Sequence, residues 1–160
     1  KRRSPIKFFK GIWPAQVVAF TTQSSFGTLP VTIESLENNI GVSSSTASFV
    51  ASLGSTVGMN GCGGVFPAIV AIFVANVFGI ELTLTHYILM ILTIVVGSVG
   101  IAGVPGAATM STTLILTTLG LPIEGMAIIL GVDAIIDMAR TLTNVTGAGL
   151  AAYIVDKECK

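Results

Sequence analysis

The chain has 160 residues, of which 52% are hydrophobic and only 10% charged, with 8 basic and 8 acidic side chains in balance. Soluble domains carry about 25% charged residues; a water-soluble enzyme, which could not cover its core with so little polar surface, is excluded. Nucleic-acid binding is excluded as well, because no basic face continues past the first residues.

The charges that exist are unevenly placed. Lys1, Arg2, Arg3, Lys7 and Lys10 fall at the start, and the gaps Glu37 to Glu81 and Glu81 to Glu124 hold no fixed charge, only His86. Each gap has room for two bilayer passes of about 20 residues, which predicts an integral membrane protein. The basic start reads as a cytoplasmic loop under the positive-inside bias, with headgroup contact as a secondary benefit. Phe8-Phe9 and Trp13-Pro14 then read as an interfacial anchor. The chain begins with Lys and no signal peptide precedes the apolar region, so it is expected to be a piece of a longer protein.

Ala15 to about Gln23 is apolar but too short to span. The hydroxyl-rich string Thr21-Thr22-Gln23-Ser24-Ser25-Phe26-Gly27-Thr28-Leu29-Pro30 follows. Such a break survives at membrane depth only inside protein or beside water, which predicts a re-entrant hairpin with its tip near Ser24 to Gly27 and a second arm through about Glu37. Val42 to Leu53 then forms half of a pass. Gly58 to Gly64, rich in glycine at about 1 kcal/mol each against Ala, is expected to unwind before Val65 to Phe78 resumes as helix.

The second half repeats the plan. Tyr87 to Val96 is an arm, Gly97 to Gly106 a Gly/Pro tip, and Ala107 to Leu119 the returning arm. After a turn at Gly120-Leu121-Pro122, a last helix is expected from about Glu124 to Tyr153. The units are 1–40 (basic start and first hairpin), 41–80 (broken pass), 81–122 (second hairpin, a gate) and 123–160 (last helix and tail). The fold class is all-α integral membrane: two re-entrant helical hairpins, each followed by a transmembrane helix, as internal inverted repeats. That order is the signature of a secondary transporter.

The last helix carries the chemistry. At about 100° per residue, Asp133, Asp137, Arg140 and Asn144 fall at roughly 0°, 40°, −20° and 20°, with Thr141 at the edge of the stripe. Each ionised group at the bilayer centre costs about 2.5–3.5 kcal/mol, so the stripe must face protein or a wet cavity. Asp137–Arg140 and Asp133–Asp137 spacings are expected to compensate the charges in part. A cluster serving only as glue is disfavoured because buried ion pairs stabilise weakly. Arg offers a planar fork for a carboxylate and a nearby Asp accepts an ammonium, which fits an amino acid or a dicarboxylate. Cys62 and Cys159 are too few and too far apart for a disulfide framework or zinc site, and read as small buried residues. His86 reads as interfacial rather than catalytic, and no enzyme triad can be assembled.

These strings resemble a known family, the dicarboxylate/amino acid:cation symporters (glutamate transporter-like proteins). Ser24 to Pro30 is similar to its serine-rich first tip, and Gly58-Met59-Asn60-Gly61-Cys62 stands where it has Asn-Met-Asp-Gly-Thr. Gly100 to Gly106 is similar to its second tip and Asp133 to Asn144 to its final helix. Only the C-terminal part of the family fold is covered. The resemblance implies an elevator mechanism in the cell membrane, with a homotrimer when full length. It implies substrate contacts from Ser24, Ser25, Cys62, Gly103, Val104, Asp137, Arg140, Thr141 and Asn144. Asp137 would hold the substrate amino group and Arg140 its distal carboxylate. Thr141 and Asn144, with Ser25 and the Gly103-Val104 backbone, would take the α-carboxylate.

Cation sites would involve Thr56, Met59, Asn60, Ser98, Val99, Ile101 and Asp133, largely through carbonyl groups. The departures are Gly58, Asn60 and Cys62 in the motif, and Ala148 where an Asp is expected. Hard cations want anionic oxygens. With two carboxylates missing, fewer sodium ions, or proton coupling through Asp133 or Asp137, are expected. Apart from the coupling cation, Na⁺ or H⁺ or both, no cofactor is implied. The Asn-Gly-Cys-Gly string resembles the bacterial cystine-uptake branch, which places L-cystine beside aspartate, glutamate and C4-dicarboxylates. The competing expectations are a truncated fragment that inserts without transporting, and an ion channel with uncoupled flux.

Overall fold

In a computed structural model, which describes residues 5–100 and 103–158, all regular elements among the described residues are helical. In chain order they include α1 (Pro5–Thr22), α2 (Ser25–Glu34), α3 (Ser44–Gly54), α4 (Phe66–Val77), α5 (Leu84–Ser98), α6 (Ala107–Thr118) and α7 (Met126–Glu158). Wide i→i+5 turns at Ser35–Ile40 and Asn60–Val65 follow α2 and precede α4, and a 3₁₀ turn at Ile123–Gly125 leads into α7.

Two boundaries differ from expectation. Lys7 to Pro14, expected as loop and anchor, is already part of α1, with Pro14 inside the helix. An interior proline costs about 3 kcal/mol, but Phe8, Ile12, Ala15 and Ala19 are buried at helical spacing. That packed stripe carries the helix through. The second correction concerns the glycines. The chain unwinds at 55–59, just ahead of most of them, and Asn60–Val65 is helical. A Cβ at Gly61 would sit 3.2 Å from the Arg140 carbonyl oxygen and 3.2 Å from Asn144 Oδ1. Glycine therefore lets this turn press against α7, and tertiary contact outweighs its poor helix propensity.

Two apolar cores form, and they meet α7 at different points along its length, one at Met126 and the other at Val145 and Ala152. One gathers Phe66, Val70, Val74, Met90, Ile115, Leu116 and Met126 from α4 to α7; the other gathers Phe8, Ile12, Ala19, Leu36, Ala47, Val145 and Ala152. Small residues bring α7 close to its neighbours. A Cβ on Gly54 would lie 2.5 Å from the Ala148 methyl, and one on Gly149 would lie 3.0 Å from Ile12. Such close approach is how helices associate where no hydrophobic drive separates them from lipid.

Polar clips fix the ends. Asp156 of α7 is buried and accepts from the backbone N–H and the hydroxyl of Ser43, at the start of α3. His86 accepts the Thr83 N–H at 3.0 Å and closes a capping box on α5, so its visible work is structural. Among the described residues, one helical stretch is long and apolar enough to cross a membrane, Asn60–Val77. The apolar α5 is shorter at 15 residues, and the 33-residue α7 carries the charged stripe.

Candidate functional site

The stripe on α7 lies along the helix between Met126 of the first core and Val145 of the second. Asp137, Arg140, Thr141 and Asn144 are all buried, and Asp133 is half-buried. Arg140 is the hub. Its Nη2 lies 2.9 Å from Asp137 Oδ1 and 2.8 Å from Asp133 Oδ1, and its Nε donates to Asp137 Oδ1 at 3.3 Å. The expected compensation is thus corrected: both carboxylates share the guanidinium, Asp133 reaching it across two turns rather than pairing its charge with Asp137. Two carboxylates and one guanidinium leave a formal charge of −1.

Phe66 backs the arrangement, with the Arg140 guanidinium carbon 3.8 Å from its ring centroid. Arg140 Nη1 is buried and has no hydrogen-bond partner among the described residues. An unmet charged donor in a buried place is costly, and a carboxylate arriving there would satisfy it.

The Asn60–Val65 turn supplies the other wall. Asn144 Oδ1 accepts the Gly61 N–H at 2.8 Å, Asn144 Nδ2 donates to Cys62 Sγ at 3.2 Å, and the Cys62 thiol faces Asp137 Oδ1 at 3.8 Å. Cys62 therefore links Asn144 and Asp137 across the helix break.

Two non-helical tips meet nearby. Ser24 caps α2 by accepting the Gly27 N–H at 3.0 Å, and its hydroxyl also donates to the Gly103 carbonyl at 3.0 Å. The same carbonyl accepts the Phe26 N–H at 3.1 Å. Gly103 is packed so closely that a Cβ there would fall 2.6 Å from the Ser55 carbonyl oxygen and 3.0 Å from Ser25 Cβ. A cavity of about 10 Å³ lies beside Ser25, Ser55 and Asn144, enough for about one water.

A model of the sodium:dicarboxylate symporter family matches residues 1–158. The chain belongs to that family. Its curated relatives agree. An uncharacterized symporter of Haemophilus influenzae is 41% identical over 96% of this chain and 35% of its own length. The L-cystine uptake protein TcyP of Bacillus anthracis is 39% identical, over 96% of this chain and 33% of its own. Human excitatory amino acid transporter 2 is 40% identical, over 96% and 27%. The chain spans about a third or less of the length of these relatives. Membership in the sodium:dicarboxylate symporter family makes this a membrane protein of a transport family, not an enzyme.

Within this family member, the residues singled out from the sequence fall into two groups. Ser24, Ser25, Cys62, Gly103, Asp137, Arg140, Thr141 and Asn144 lie in or beside the stripe, the turn and the tip contact. The Val104 side chain is 48% exposed, and its carbonyl accepts the Ala107 N–H at 3.3 Å. The cation set is more scattered. Thr56 Oγ1 donates to Leu53 O at 2.9 Å and Ser98 Oγ to Val95 O at 3.0 Å, so both hydroxyls are spent locally. Met59 is buried, Asn60 and Val99 are exposed, and Ile101 lies outside the described residues. Asp133 is engaged by Arg140 and by the Thr109 hydroxyl, 3.3 Å from Oδ2. No three His, Cys, Asp or Glu side chains converge among the described residues.

Sequence reasoning missed Phe66, Thr109, Gln16 and Gln23. Gln16 Nε2 donates to Thr146 Oγ1 at 2.8 Å, tying α1 to α7, and Gln23 Nε2 donates to the Ala134 carbonyl at 3.0 Å, tying the first tip to α7. An uncharged amide on an otherwise apolar helix was the available signal.

Proposed function

We propose that the full-length protein performs cation-coupled symport of an anionic amino acid, cystine or a dicarboxylate across the cytoplasmic membrane. The observation that carries this is Arg140: a buried guanidinium clamped on one side by Asp133 and Asp137, with Nη1 unsatisfied, beside the contact of the two tips. A solute carboxylate would complete the hydrogen bonding of Arg140, and Asp137 would accept the solute ammonium. Asn144 and Thr141 would hold the other carboxylate with Ser25. The printed names of the relatives, L-cystine uptake and excitatory amino acid transport, support this solute class.

The helix pairs α1–α2 and α5–α6 are re-entrant hairpins in this reading, and units 1–40, 41–80, 81–122 and 123–160 serve as first hairpin, broken pass, gate and binding helix. The second tip opens to admit solute and closes through the Gly103 carbonyl. The closed unit then moves as an elevator against segments supplied by the remaining part of the chain, in a trimer. The coupling cation, sodium or a proton, carries positive charge to a site of formal charge −1, which favours co-binding with the solute. Carbonyls around Thr56, Met59, Ser98 and Val99 would hold sodium. With Gly58, Asn60 and Ala148 in place of the family's usual side chains, sodium dependence is shallow.

Uptake of labelled cystine, glutamate and succinate into proteoliposomes of the full-length protein, with sodium and pH gradients imposed separately, tests the reading. Gradient-driven accumulation of an amino acid with a sodium Hill coefficient of about two or less is expected. Flux that ignores both gradients would contradict symport and favour a channel; a coefficient near three would contradict the shallow coupling.

A further inference from the structure

We propose that the groove between α1 and the middle of α7, walled by Trp13, Val17, Phe20 and Leu142, is a binding site for an acyl chain of an anionic phospholipid. The groove holds about 290 Å³, far more than the cavity beside Ser25. Trp13 is 62% exposed in it, and Val17 and Phe20 are exposed with it.

The two polar residues that line the groove do not serve it. The Gln16 amide is turned to Thr146 Oγ1 at 2.8 Å, and the Thr21 hydroxyl donates back to the Val17 and Val18 carbonyls at 3.0 and 3.1 Å. Their hydrogen bonding is consumed within the helices, so what the groove offers is carbon. A polar solute would lose its hydration here and gain nothing; an alkyl chain loses nothing.

Charge selects the headgroup. At 100° per residue Lys10, Trp13, Val17 and Thr21 share one stripe of α1, within about 80°. Lys10 therefore stands at the end of the groove, about 16 Å along the axis from Thr21 at 1.5 Å per residue. Lys7 and Lys10 are both exposed, and no acidic residue occurs before Glu34. An ammonium at the mouth of an apolar slot parallel to a membrane helix matches a phosphodiester followed by its alkyl tail. A zwitterionic lipid would fill the slot equally well and brings the same phosphodiester, but its cationic group offsets the attraction to Lys10, so the net charge of the headgroup favours an anionic occupant.

Trp13 is the reporter. The full-length protein is reconstituted in phosphatidylcholine vesicles containing, at equal mole fraction, phosphatidylglycerol or phosphatidylcholine brominated on the acyl chains. The Trp13 contribution is the difference in fluorescence between the wild type and Trp13→Phe. Brominated phosphatidylglycerol is expected to be enriched at Trp13 by about fivefold, the effect of one basic residue at a membrane surface, and to quench it correspondingly more. Lys10→Gln should remove that preference while leaving the quenching by phosphatidylcholine unchanged. Equal quenching by the two lipids in the wild type would overturn the proposal. So would quenching by neither, which would show that another protein segment or a second copy of the chain fills the groove.

Discussion

The chain interrupts its helices with two tips, and they are built differently. Between α1 and α2 the break is only Gln23 and Ser24. It is pinned from several sides: Gln23 sits at φ 54° with its amide on the Ala134 carbonyl, and Ser24 caps the next helix. Between α5 and α6 the described residues of the break are 99–100 and 103–106, with Val99 and Val104 exposed. Its joint to the first tip is the carbonyl of Gly103, held by Ser24 and Phe26. A short, cross-tied break and a longer, glycine-rich one, tied to the first tip through Gly103 among the described residues, have different costs of opening. The proposed function gives the moving role to the second tip and the fixed role to the first.

The sharpest way to break the contrast is Gly103→Val. Its Cβ would meet a backbone oxygen, Ser55 O, at 2.6 Å, which cannot yield as a side chain would. Overpacking of this kind costs about 1–3 kcal/mol, charged here to the closed tip alone. In the full-length protein, the solute off-rate should rise about fivefold to a hundredfold, with melting temperature nearly unchanged. The matching change in the first tip, Gly27→Ala, meets only Ser24 side-chain atoms at 3.3 and 3.4 Å, and solute release should stay near wild type.

Ser24→Ala comes next in size, because one hydroxyl serves both tips. It removes the cap on Gly27 and one of the two donors to Gly103 O. At about 1 kcal/mol for each such bond, an off-rate increase of about fivefold is expected, together with faster amide exchange at the start of α2. Exchange that changes at neither tip would show that the hydroxyl is not the link. The smallest effect belongs to Gln23→Gly. Relief of a left-handed backbone, about 1 kcal/mol, offsets the loss of an exposed hydrogen bond, and thermal stability should move by less than about 0.5 kcal/mol.

Much of this architecture was legible because ionisable groups are expensive in an apolar chain. Asp133, Asp137, Arg140 and Asn144 declared one face by spacing alone, and the structure brings them together. The breaks were legible from Gly, Pro and hydroxyl clusters, since those residues weaken helices by known mechanisms. What escaped was tertiary. α1 continues through Pro14 because Phe8, Ile12 and Ala15 are buried beside it, and the turn at Asn60–Val65 is helical because Asn144 accepts the Gly61 N–H. Spacing gave the Asp137–Arg140 pair but could not tell that Asp133 would also reach Arg140. Nor could it foretell that Asp156 would clasp Ser43 from 113 positions away.

In the proposed function the Arg140 guanidinium, whose Nη1 has no hydrogen-bond partner among the described residues, receives a carboxylate of the transported solute. The most direct test compares Arg140→Ala with wild type in the full-length protein, measuring uptake of labelled amino acids with and without a second carboxylate. Loss of the solutes bearing a second carboxylate, with neutral amino acids spared, is the predicted result. Equal loss of both classes, or full retention of both, would contradict it.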